Sequence, residues 1–450
     1  MNFDTNVESL KRNTLEIDGI NMTLTQSVSV NPITYEGSGY IRQDSTGSLN
    51  FKIYVSTVRN TDIAQNLMKS FQVESGKLYE ESEFYALKVR TADSIWVADR
   101  ILPSLQWTMG TCTLVQGKLR SISAETLLRK SEHSISLRYF DDMELPIAFG
   151  RSDTDRKKMG KAEFETNCAK ITVEELPDET VFTATAAVAL DDAFHTRMDE
   201  ALRFLTAKSV EWRVLVRQTD QKRIVELTSG SRRSITTRLD PPITRGVQGY
   251  WDHGWLLFAA YLEYSLKNTN HAYWNHCTAH LHNACEASAN SLDAWGLGLS
   301  VAVDGIAEII PYQQNTAEKK LLRELRDSII KHIHSKEEFR AYEKRLNGLL
   351  CSMGNIRLQD RVDSLVAAGY FSPHYAKAWS TLRNKSAHPK QIDPQRMDSN
   401  EIQSMFDLIN KTTTFMYQIV FYLIGYKGPY SDYGKHGYPP GQYPPLSRPA

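Results

Sequence analysis

Apolar and polar positions alternate with period two through most of the first half of the chain. In "LEIDGINMTLTQ" the apolar positions are Leu15 and Ile17, then Ile20, Met22 and Leu24. In "SLNFKIYVS" they are Leu49, Phe51, Ile53 and Val55. "EFYALKVRTADSIWVAD" and "HSISLRYF" continue the style, with Gly, Asn and Asp at the breaks. Such alternation between turn residues predicts strands with one buried face. "DDAFHTRMDEALRFLTA" interrupts it with an amphipathic helical pattern, after which "SVEWRVLVR" and "KRIVELTS" read as strands again.

The pattern changes across "SGSRRSITTRLDPPITRGVQG", where Gly, Pro and charge replace periodicity. This reads as an interdomain connection. Beyond it the apolar spacing is helical. "NTAEKKLLRELRDSIIKHIHS" places Leu321, Leu322, Leu325, Ile329, Ile330 and Ile333 at helical intervals. "SKEEFRAYEKRLNGLLCSMG" opens with Ser335 and Glu338 at capping-box spacing and closes at Gly354. "RLQDRVDSLVAAGYF" predicts a shorter helix ending at Gly369. Ser372 and Pro373 then set an N-cap followed by proline at the first helical position. A last long helix carries Ile402, Met405, Ile409, Met416, Ile419 and Leu423 on one face, with Asp398 and Glu401 at its start. Short connections between these segments predict an antiparallel bundle.

The fold class expected is therefore α+β: a β-rich N-terminal domain over 1–245, connecting helices over 246–290, and an all-α helical bundle over 291–426. The segment 427–450, rich in Pro, Gly and Tyr, reads as a disordered tail.

Composition narrows the picture. The 450 residues carry 53 basic and 53 acidic side chains, which argues against wholesale non-specific nucleic-acid binding but not against a local basic groove. Five irregularly spaced cysteines argue against a disulfide framework. The N-terminus lacks an apolar signal region, and apolar runs such as "MYQIVFYLIGY" are too short to span a bilayer. The expectation is a cytoplasmic protein without a membrane span. There is no Walker loop, nucleophile elbow or dinucleotide fingerprint.

The stretch with the most chemistry is "RNKSAH". The helix opened by Ser372 runs through Trp379 and Leu382 to Arg383, and must stop near Ser386 or Ala387 because His388 precedes Pro389. Arg383 thus falls in the last turn and His388 just beyond it, so the two can converge as they could not on a continuous helix. Arg presents a fork of donors suited to phosphate oxygens. His moves protons near neutral pH, and Asn384 can orient a neighbour through its amide. The competing reading is a pair of residues that merely caps a helix end. Arg326 and His332 share a related spacing, but lack the Asn and lie within one helix.

Arg383, Asn384 and His388 resemble the signature of the HEPN superfamily of ribonucleases, R-x(4–6)-H with Asn commonly following the Arg. A β-rich domain followed by such a bundle resembles the ApeA-type antiphage proteins. The resemblance implies a metal-independent endoribonuclease with no cofactor, acting in abortive infection. A phage-derived trigger would act through the N-terminal domain. RNA would be the substrate, with tRNA among the candidates. Two copies would form a homodimer or higher oligomer with a composite site. By the same resemblance His388 serves as general base or acid and Arg383 stabilises the charged phosphorane, while Asn384 orients His388 or the phosphate. HEPN bundles often add an acid from an earlier helix, and Asp304, with Glu308 second, is the candidate here. A structural salt bridge is the other reading of Asp304. The alternative function is a non-catalytic RNA- or protein-binding HEPN module.

Three further groups compete for attention. His271, His276, Cys277, His280, His282 and Cys285 could hold zinc, with His276 and His280 on one helical face, but no known zinc spacing appears and a His-rich helix surface is the favoured reading. Trp251, Trp255, Phe258, Tyr261 and Tyr264 read as core rather than a base-stacking platform. Arg232, Arg233 and Arg238 read as a solvated linker.

Overall fold

A computed structural model describes residues 3–59, 76–108, 111–127, 132–147, 160–230, 237–311, 316–342, 344, 345, 348, 357–387 and 399–445. The chain divides into two units, Met1–Asp199 with Val210–Ile235 and Glu200–Ser209 with Thr236–Ala450.

The first unit follows the alternation. Its strands are β1 (Glu16–Gln26), β2 (Thr34–Gln43), β3 (Leu49–Arg59), β4 (Tyr85–Arg90), β5 (Ile95–Ile101), β6 (Ser104–Thr108) and β7 (Thr111–Leu119). They continue as β8 (Ser121–Leu127), β9 (His133–Tyr139), β10 (Gly160–Glu165), β11 (Lys170–Leu176), β12 (Glu179–Ala186), β13 (Val214–Gln218) and β14 (Lys222–Thr228). They form one 14-stranded sheet in the order β10-β11-β12-β9-β13-β14-β8-β5-β4-β1-β2-β3-β7-β6. Met22, Leu24, Phe51, Ile53, Leu87, Val89 and Trp96 are buried on its inner face, joined by Val7 and Leu10 of α1 (Phe3–Lys11). Ile20 departs from the expected face and is 67% exposed. The β1–β2 register shifts between Gly19 and Met22, and such a bulge reverses the side-chain alternation. Helix α2 (Phe194–Thr206) follows β12, and the boundary between units falls within it. Its Asp199 accepts from the Tyr139 hydroxyl at 3.2 Å in the first unit.

The second unit is helical: α3 (Tyr250–Asn268), α4 (His276–Ser288), α5 (Leu292–Ile309), α6 (Thr316–Ser335), α7 (Leu358–Ala367), α8 (Pro373–Ala387) and α9 (Ser399–Ile424). Helix α9 is buried on every side from Thr412 to Phe421, which makes it the core of the unit. Its expected apolar face fails only at the start, where Ile402 is exposed. The α+β organisation holds, with a sheet-rich first unit and a helical second one. Among the described residues, no helix is long and apolar enough to cross a membrane.

Three expectations need correction. Residues 246–290 are not connectors: α3 and α4 belong to the second unit, with Trp255, Phe258 and Tyr261 buried and Tyr261 stacked on Phe204 at 4.6 Å. Ser335 is not an N-cap. It ends α6, its hydroxyl donates to the His332 carbonyl, and Glu337–Tyr342 forms a 3-10 helix instead. Much of the rest of that segment, Gly354 included, lies outside the described residues.

The third correction concerns the expected tail. Described as far as residue 445, it folds into a hairpin of β15 (Gly428–Ser431) and β16 (Pro440–Tyr443). Tyr426, Tyr430, Tyr433 and Tyr443 are buried. Each tyrosine contributes a large apolar ring, and a buried hydroxyl usually finds a hydrogen-bond partner. The Tyr426 hydroxyl donates to the Pro429 carbonyl, and that of Tyr433 to the Pro241 carbonyl at 2.6 Å. Asp432, 1% exposed, accepts from the Tyr375 hydroxyl at 2.5 Å and pairs with Lys435 at 2.9 Å. Glycine makes room: a Cβ on Gly434 would stand 2.3 Å from the Tyr375 ring. Composition suggested disorder, but the tyrosines bury enough surface to order the segment.

Candidate active site

Helix α8 begins where Ser372 and Pro373 place it, with the Tyr375 and Ala376 amides donating to the Ser372 carbonyl. It is described as far as Ala387, and the expected stop before Pro389 lies outside the described residues. Trp379 and Leu382 are its buried face. Helix α5 is capped by Ser291, whose side chain accepts from the Ala294 amide.

The two helices meet at Gly296, where an added Cβ would stand 3.3 Å from Leu382 and 3.4 Å from Ser386. Further along α5, Asp304 meets residues earlier in α8, so the helices run antiparallel. Arg383 Nε forms an ion pair with Asp304 Oδ2 at 2.9 Å. The buried Trp379 indole Nε1 donates to Asp304 Oδ1 at 3.0 Å. The Arg383 guanidinium carbon lies 5.8 Å from the centre of the Trp379 ring.

The pair is neither buried nor free in solvent: the Asp304 side chain is 26% exposed and that of Arg383 48%. Burial pushes the Asp304 carboxyl above its ordinary value, while Arg383 and the indole N–H pull it back and Glu308 adds to the rise. Because the Asp304 contact uses Nε, the terminal Nη1 and Nη2 are the groups suited to meet an oxyanion.

Glu308 lies one turn beyond Asp304 on α5 and is exposed. Its backbone carbonyl, together with that of Ile310, accepts from Arg361 Nη1 and so finishes α5. Asn384 is exposed beside Arg383. His388 lies outside the described residues. Of the expected set, the structure therefore brings Arg383 and Asp304 together and adds Trp379, which sequence reasoning missed. The signal for it was the four-residue step from Trp379 to Arg383 on one predicted helix.

The other constellations disperse. Arg326 pairs with Asp327 at 2.9 Å on α6, which continues unbroken past His332. On α4, Cys277 is buried and its thiol is pushed up to about 12, first by burial. Cys285 donates to the Ala207 carbonyl, and His282 meets Glu286 at 3.2 Å. His280 lies flat on Gly305 of α5, where a Cβ would stand 2.2 Å from its ring. Burial, and then His276, lower the His280 pKa. Among the described residues, no group of three or more His, Cys, Asp or Glu could hold a metal ion. Arg232 and Arg233 lie outside the described residues, and the Arg238 amide donates to Ser288 Oγ. Comparison of the chain with protein-family models, with curated proteins and with solved structures found no match.

Proposed function

We propose that the helical unit is a metal-independent endoribonuclease of the HEPN type, acting in antiphage defence when the sheet-rich unit receives a phage-derived trigger. The observation that carries this reading is the ion pair between Asp304 of α5 and Arg383 near the end of α8, with Arg383 inside the R-N-x-x-x-H pattern. A carboxylate that grips Arg383 through Nε presets the guanidinium for a phosphate.

In the proposed reaction the ribose 2′-hydroxyl attacks the adjacent phosphate, and Arg383 stabilises the charge that builds on the phosphorane. His388 takes the 2′-hydroxyl proton or delivers one to the leaving 5′-oxygen, and Asn384 orients His388 or the phosphate. Asp304 holds Arg383, with Glu308 as the second acid. The nucleophile belongs to RNA, so DNA resists. Transfer RNA is a candidate substrate, a second copy of the chain would complete a composite site, and the cytoplasm is the proposed location.

The test compares wild type with Arg383→Ala and His388→Ala, induced in bacteria with and without phage, with total RNA run on gels. Fragments ending in 2′,3′-cyclic phosphate, made in EDTA by wild type and lost in both variants, support the reading. Identical behaviour of three folded proteins sinks it. The same ion pair also suits a non-catalytic RNA- or protein-binding module, because a satisfied Arg–Asp pair fastens α8 to α5 whether or not substrate is cut. That module would bind RNA or a protein and leave RNA whole.

A further inference from the structure

We infer that Trp379 is a positioning residue for the proposed cleavage, its indole N–H fixing the Asp304 carboxylate so that Asp304 in turn aims Arg383 at the substrate phosphate. The inference rests on the ribonuclease reading above.

The geometry is one hydrogen bond and one ion pair meeting on a single carboxylate. Trp379 sits one turn before Arg383 on α8 and is fully buried. Its N–H reaches Oδ1 of Asp304 at 3.0 Å, and Arg383 Nε reaches Oδ2 at 2.9 Å. With the indole N–H on one oxygen and the guanidinium charge beside the other, the carboxylate cannot turn about its Cβ–Cγ bond without losing a partner. The position of Arg383 is therefore set by a group buried beneath it.

An arginine on the surface samples many rotamers, and immobilising such a side chain on binding costs affinity. Here much of that ordering precedes the ligand. The Trp379 ring also lies near the guanidinium, so the indole supports Arg383 from below as well as through Asp304. Packing alone would be served by any large aromatic residue. The N–H is the part that phenylalanine lacks.

The test uses the full chain and four proteins: wild type, Trp379→Phe, Asp304→Ala and the double variant. Each is assayed for kcat/KM against pH on an RNA that wild type cleaves, with Tm measured beside it. Trp379→Phe keeps the fold and lowers kcat/KM roughly tenfold, the scale set by losing one hydrogen bond to a charged group. Its acid limb moves to higher pH, because the lost donor no longer favours the carboxylate. The double variant falls no further than Asp304→Ala alone, since Trp379 acts through that carboxylate.

Full activity and an unmoved acid limb in Trp379→Phe overturn the inference, as do losses that simply add in the double variant. If wild type leaves RNA intact, the ribonuclease reading falls and this inference falls with it. If wild type cleaves and Trp379→Phe behaves like it, only the inference falls.

Discussion

Helix α5 carries Asp304 and Glu308, and its position depends on how closely α4 approaches it. A Cβ on Gly298 would stand 2.3 Å from the Ala287 Cβ of α4. Carbon atoms in ordinary contact stand about 3.5–4.0 Å apart, so Gly298→Ala forces the helices apart by more than about 1 Å. Ala287 is one methyl on a helix and cannot swing away. Overpacking of this kind costs about 1–3 kcal/mol. Replacing a mid-helix glycine with alanine returns about 1 kcal/mol. The expected net loss is about 0–2 kcal/mol, or up to roughly 8 °C in Tm for a domain of this size. Calorimetry and urea titration measure it directly.

The control is Ala287→Gly, which removes the opposing methyl. In the double variant the clash is gone, so part of the stability lost by Gly298→Ala returns although Ala287→Gly weakens α4 by itself. A rise in Tm for Gly298→Ala would mean that helix propensity outweighs the contact and that α4 and α5 are not held this closely. Losses that add in the double variant would refute the argument in the same way.

Two further outcomes follow from groups away from the candidate site. Tyr375→Phe leaves Asp432 buried with Lys435 and without its tyrosine donor, and should lower stability by about 1.5–3 kcal/mol in urea denaturation. In the first unit, burial and then Arg217 depress the pKa of His195 below 6.5. Its unfolded form therefore binds a proton more readily, so its contribution is complete above about pH 6.5 and is lost as pH falls through the lower folded value. Wild type should lose stability over that window more steeply than His195→Gln, and parallel urea midpoints for the two proteins would disprove it.

The parts of this architecture legible in the sequence are those governed by local rules. Strand alternation placed β1, β3, β4, β5 and β9, and Ser372 and Pro373 marked the start of α8. Asp304 stood out as an acid on an apolar helix, and it meets Arg383. What stayed hidden depended on contacts between distant segments. The Trp379 N–H acquires a role only when α5 supplies an acceptor 75 positions away. Gly296 and Gly298 look like weak points in a helix until α8 and α4 are packed against them. The hairpin of β15 and β16 stayed hidden for the same reason: besides the nearby Phe421, it is held by Tyr375 and the loop at 241–244, both distant in sequence.

That hairpin has a consequence for the order in which the protein is made. The Ser431 amide donates to the Pro242 carbonyl, the Ser431 hydroxyl meets Thr244, and the Tyr433 hydroxyl meets the Pro241 carbonyl. Segments nearly two hundred residues apart thus close on each other, and the one that comes late from the ribosome completes the seat of the one that came early. During synthesis the sheet-rich unit can finish its core while α8 still lacks the support that Tyr375 finds in Asp432. A chain interrupted before the hairpin would carry every residue of the candidate site and still be unable to seat α8 as the intact protein does. For an enzyme proposed to destroy RNA, translation would then proof the weapon: only a chain read through to the hairpin could be armed.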